Sequence, residues 1–191
     1  MSHADVPELL AADPILGTLY RYWNRRRDLR RMPDRRDIDP LELGPALLPH
    51  VGLMDIVDGG ARVRYRLLGT AIVERWGSDP TGKFMDEVMS GSYRDYIHGL
   101  YRELVRARAP VFSESLFRWD AEGYLRTRRL YLPLTHRGPK AADAAEEVAI
   151  ALIGQVFLGP AMQPLRPYTA VVDRTPVEQH SEVIEPSADD N

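Results

Sequence analysis

Between residues 92 and 108, Tyr93, Ile97, Leu100, Tyr101, Leu104 and Val105 recur at helical spacing with arginine and acid between them. That repeat predicts an amphipathic helix, and Ala109-Pro110 stops it. Strand-like runs follow at 111–119, 125–135 and 148–158, the first two joined by the short turn Asp120-Ala121-Glu122-Gly123. Upstream, residues 51–57 read as a mostly buried strand and Asp58-Gly59-Gly60 as a tight hairpin turn. Val63, Tyr65 and Leu67 then alternate with Arg62, Arg64 and Arg66, a strand with one wet face. Two strands, a helical middle and three more strands predict an α+β domain on a five-stranded antiparallel sheet, its central helices crossing one face.

Asp13-Pro14 pairs an N-cap with a proline at the first helical position, and Leu16, Leu19, Tyr20 and Trp23 then share one face, so a flanking helix is predicted over 13–31. Residues 21–36 hold eight arginines, leaving the other face of this helix wet. Asp37-Ile38-Asp39-Pro40 opens a short helix carrying Leu41, Leu43, Leu47 and Leu48, and Gly69-Thr70 opens another that runs through Trp76. Residues 1–12 are expected to be a flexible start and 13–163 the domain. The alanine-rich stretch 136–147 is expected to be an exposed excursion between strands. Residues 164–191, rich in proline and carrying six carboxylates from Asp173 onward, are expected to be a disordered tail.

The absence of cysteine rules out disulfides, thiolate metal sites, a cysteine nucleophile and a cysteinyl–flavin adduct. No apolar stretch approaches the ~20 residues of a membrane-spanning helix. The first twelve residues lack the basic start and apolar run of a secretory signal, so a cytoplasmic location is expected.

Met32-Pro33 with Asp37-Ile38-Asp39-Pro40, then Leu47-Leu48-Pro49-His50, Tyr65-Arg66-Leu67-Leu68-Gly69-Thr70 and Asp79-Pro80-Thr81-Gly82 occur in this order. Together they resemble the single-domain alphaproteobacterial PAS family once catalogued as a domain of unknown function, over roughly residues 14–160. The resemblance implies a PAS-like fold and a signalling or protein-interaction role; it carries no settled ligand or activity. The long alanine-rich loop and the proline-rich tail depart from the family without touching these motifs.

A pocket between helices and sheet, where PAS folds keep one, is expected to be lined by Arg66, Met85, Tyr93, Ile97, Tyr101, Phe112 and Phe117; the same residues would also fill an ordinary core. Arg66 would pair with a carboxylate such as Asp55 or with an anionic ligand, or else hydrogen-bond loop carbonyls. His98 lies at the flank of its helix stripe, as a boundary histidine or a haem ligand. His50, His98 and His136 match no metal-ligand spacing. No strained nucleophile turn and no phosphate-binding glycine loop is present, so an enzyme has no residue constellation behind it. No residue pattern names a cofactor, and non-covalent haem or flavin stays open because neither needs a strict motif. The arginine-rich helix lacks a base-reading motif, which disfavours nucleic acid; an acidic partner or the chain's own tail fits it better.

Two functions follow. One is a stand-alone PAS sensor that binds a small ligand in the helix–sheet pocket and acts by contact with a signalling partner, as a homodimer. The other is a ligand-free adaptor or dimerisation module whose contact surface is the Leu16, Leu19, Tyr20 and Trp23 stripe.

Overall fold

The computed structural model describes residues 6–118, 124–136, 147–158 and 176–186. The long helix α6 spans Gly91–Ala107 and buries Tyr93, Ile97, Leu100, Tyr101 and Leu104, the stripe its periodicity predicts. A short α3 (Pro40–Leu47) precedes the sheet, and α6 follows a helical middle of α4 (Thr70–Trp76) and the single-turn α5 (Met85–Val88). On either side lie the strands β1 (Val51–Val57) and β2 (Arg62–Leu68), then β3 (Val111–Arg118), β4 (Tyr124–Leu134) and β5 (Ile150–Leu158). The Asp58–Gly60 turn between β1 and β2 works because Asp58, Gly59 and Gly60 all take positive φ, a region glycine enters without penalty.

The sheet has six strands in the order β2-β1-β5-β4-β3-β6, every neighbouring pair antiparallel. The additional strand, β6 (Pro176–Val183), pairs with β3 from Val111 to Phe117. It corrects both the five-strand expectation and the reading of 164–191 as a wholly disordered tail; residues 164–175 and 187–191 lie outside the described residues. Most of the 136–147 excursion also lies outside them. The flexible start is corrected as well. A short helix, α1 (Glu8–Ala11), fully buries Leu10, whose carbonyl would lie 2.9 Å from a Cβ at Gly17; residues 1–5 are outside the described set.

Helix α2 (Pro14–Arg27) starts where Asp13 accepts hydrogen bonds from Ile15 and Leu16 N–H, and ends earlier than the predicted residue 31. Asp28 takes φ of 55° there, and Arg30 donates to the carbonyls of Arg26 and Arg27, satisfying the helix's last acceptors. Arg31 reaches further and donates to the Ala107 and Arg108 carbonyls at the end of α6. The arginine cluster is therefore largely consumed within the chain: Arg26 pairs with Glu42, Arg30 with Asp37 and Arg36 with Asp34.

Strand register assigns the faces. Gly52, Met54, Tyr65, Val111, Arg129, Tyr131, Ile153 and Gln155 lie on the side of α4–α6, as cross-strand pairing and period-two alternation require. The opposite face carries Leu53, Leu130, Leu132, Leu152 and Gly154, and α2 packs there. Both faces are thus covered at the centre, and β4 from Arg129 to Leu134 is buried without a break. Trp23 Nε1 donates to the Pro133 carbonyl at 2.9 Å, and a Cβ on Gly154 would lie 2.7 Å from Leu19 and 2.8 Å from Leu16. Glycine is what lets α2 approach β5 this closely.

Candidate functional site

A row of polar side chains crosses the middle of the sheet on the α4–α6 side. Ser113 of β3 pairs in register with Arg129 of β4, and Arg129 with Gln155 of β5. None of the three is more than 3 % exposed. The Arg129 guanidinium donates from Nη1 to Ser115 Oγ at 3.0 Å and from Nη2 to Tyr93 Oη at 2.8 Å, so one of its partners comes from the sheet and one from α6. Gln155 Nε2 and the Tyr131 hydroxyl, two positions along β4 from Arg129, are buried without a hydrogen-bond partner. Leaving such groups unmet costs about 1–3 kcal/mol each, in a region whose other side chains are apolar or aromatic.

These residues surround a small cavity lined by Tyr65, Trp76, Met85, Met89, Tyr93, Ile97, Tyr101, Arg129, Tyr131, Ile153 and Gln155, with a free volume of about 10 Å³. That is room for about one water molecule. Its walls are aromatic pairs: Tyr101 meets Tyr131 edge-on at 5.0 Å between ring centroids, and Tyr65 meets Trp76 at 5.8 Å. Burial pushes the Tyr131 and Tyr101 hydroxyls well above the ordinary tyrosine value, the nearby Arg129 charge offsetting only part of this. Both therefore stay protonated across the working pH range and remain able to donate. No carboxylate lines the cavity among the described residues.

Of the seven residues expected in the pocket, Met85, Tyr93, Ile97 and Tyr101 line it. Phe117 is on the correct face but stacks edge-on against Tyr93 at 4.6 Å, outside the lining. Phe112 is corrected: it pairs with Leu130, so strand alternation turns it to the other face. Arg66 is corrected in the same way. Leu53 pairs with Leu67 but Met54 with Tyr65, so Arg66 is the extra residue of a β-bulge. Its Nε donates to Asp55 Oδ1 at 2.6 Å while Arg64 takes Oδ2. The carboxylate partner named from sequence is the one found, on the wet side of the sheet.

The proposed contact stripe is corrected too, because Leu16, Leu19, Tyr20 and Trp23 are no more than 1 % exposed and cover the sheet itself. His98 is half-buried, its Nε2 lying 2.9 Å from the Gly60 carbonyl, beside a separate half-open cleft formed with Arg62, Asp86, Arg94 and Asp95. Among the described residues no three histidine or carboxylate side chains gather as a metal site.

Sequence reading missed Arg129, Tyr131 and Gln155. The adjacent Arg128 and Arg129 held the signal, since consecutive residues of a strand face opposite ways and one arginine of the pair had to point inward.

A six-stranded antiparallel sheet with α4–α6 laid across one face and a buried polar cavity between them is the setting in which the comparisons fall. A family model described as a PAS domain matches residues 13–145. The chain belongs to the PAS domain family. No curated protein and no solved structure matches it. The PAS match takes in α2 through β4 and stops before β5 and β6. No helix among the described residues is long and apolar enough to cross a membrane.

Proposed function

We propose that this PAS protein is a sensory module that takes a small ligand between α4–α6 and the sheet and passes its presence to a partner protein by contact. The observation that carries the reading is the Ser113–Arg129–Gln155 row. A chain that only needed a core would fill three facing positions on central strands with aliphatic residues, since a buried cation and unmet donors are costly there. Signal transfer has a short physical route. Strand β4 presents Arg129 and Tyr131 to the cavity and, through the Pro133 carbonyl, holds Trp23 of α2 on the other face. A ligand that moves β4 is felt by α2.

The free volume of about 10 Å³ favours a second reading, a ligand-free interaction module with a filled core. Native mass spectrometry with an absorption spectrum of the protein purified without additions separates the two. Bound mass, coloured or not, supports the sensor. A clean apo species whose melting temperature is unmoved by a metabolite library supports the interaction module.

A further inference from the structure

We propose that the cavity receives a small monocarboxylate, its carboxylate group bound by Arg129, Gln155 and Tyr131; this rests on the ligand-binding reading above. Gln155 Nε2 and the hydroxyl of Tyr131, a tyrosine that stays protonated, line the space as unmet donors, and the Arg129 guanidinium beside them adds positive charge. Gln155 and Tyr131 are each 1 % exposed, so their donors are beyond bulk water. Arg129 is the sole charged side chain in the described lining, which matches one negative charge. A carboxylate also complements the charge of the guanidinium, which Ser115 and Tyr93 hold in place by accepting from it. A phosphate brings more negative charge than the one arginine of this lining balances.

The cavity holds about one water, so a ligand's carbon chain would enter only as Met85 and Met89 move aside. Both line the cavity, and they flank a helix of one turn, α5. Methionine has three rotatable bonds and adapts to irregular space more readily than any other apolar residue. The opposite wall is rigid central strand. Ligands with short apolar tails therefore fit best, the acid group held against β4 and β5 and the tail against the methionines.

The test is thermal unfolding of the full chain with sodium acetate, propionate or butyrate, against sodium chloride at equal ionic strength and against acetamide, propionamide and butyramide. A ligand of the native state raises the melting temperature with the logarithm of its concentration once above Kd. The expected result is a rise with the acids and none with the amides, and a loss of at least about tenfold in apparent affinity in Gln155→Leu and Tyr131→Phe. Arg129→Gln is expected to abolish the response; should it fail to fold, the other two variants decide. If the amides act as strongly as the acids and both responses fall in Gln155→Leu, the cavity binds ligands but the anionic class is wrong. A response to acids that both variants retain places the anion elsewhere and overturns the assignment. If no probe acts, the carboxylate assignment falls; should both variants then also melt lower than the parent, the row is satisfied by enclosed water, and the sensor reading falls as well.

Discussion

The two faces of the central strands differ in where they put charge. Beneath α2 the sheet is dry and aliphatic, with Leu130, Leu132 and Leu152 buried on the face that α2 covers. Charge on this face is displaced to the flanks, beyond the helix's footprint. On one flank Asp55 takes Arg64 and Arg66; on the other Glu114 takes Arg126 and Arg128, with Glu178 of β6 also on Arg126. The α4–α6 face reverses this, placing Arg129 and two unmet donors at its centre. One face is arranged for stability; the other gives up stability where a ligand would be met.

If α2 is a structural layer, Trp23→Ala produces the largest effect, a loss of about 3–5 kcal/mol. It empties a fully buried indole site and leaves the Pro133 carbonyl without its donor. Urea unfolding checks this, and a loss under 1 kcal/mol would return α2 to the role of a free contact surface. The second effect is overpacking. Gly154→Ala sets a methyl group 2.7 Å from Leu19 and costs about 1–3 kcal/mol, read by the same unfolding midpoint. A neutral result would mean that α2 rides loosely on β5.

The α2 stripe was legible in sequence, but periodicity says that a stripe must be covered and not by what. The choice between a partner and the chain's own sheet depends on Gly154, far along the chain, leaving space for Leu16 and Leu19. The sheet was legible wherever burial imposes alternation, as in Val63 and Tyr65 of β2. Strand β6 gave no such signal because residues 177–182 are all exposed and it is held mainly by its ladder to β3, with Ile184 buried just beyond its end. Arg66 was matched with Asp55, and alternation already set it on the wet face, so its place in the pocket ran against its own strand pattern; the bulge at β2 instead turns out Leu67, which alternation set inward. Three of the cavity residues, Tyr93, Ile97 and Tyr101, were readable from helix spacing, whereas the polar row was hidden in strands, of which β4 carries arginine at both even and odd positions.

The flanking ion pairs give the third prediction. Burial raises the Glu114 carboxyl, but hydrogen bonds from Arg128 and Arg126 outweigh it and hold the group below its ordinary 4.5. A carboxylate depressed in the folded state contributes stability above its unfolded value and loses that contribution as pH falls through the folded one. Glu114→Gln should therefore cost about 1 kcal/mol at pH 7, a modest figure because Arg126 is 38 % exposed. The difference from the parent should close in acid, below the folded value. Paired urea titrations at pH 7 and pH 3 check this, and a cost that persists in acid would mean that Glu114 acts by packing.

The smallest effect has the opposite sign and bears most directly on the contrast between the faces. Tyr131→Phe keeps the ring that meets Tyr101 and removes a buried hydroxyl with no partner. On the α2 side every truncation of this size should destabilise, by the usual loss of packed atoms. At Tyr131 the hydroxyl's unmet hydrogen-bonding capacity costs the folded state more than its packing returns, so the variant should be more stable, by up to about 1 kcal/mol. Unfolding midpoints of the protein freed of bound mass measure it. A gain would locate stability sacrificed at the cavity, whereas a loss would mean that the hydroxyl is satisfied, through bound water or Gln155, and that the α4–α6 face is built on the same terms as the other.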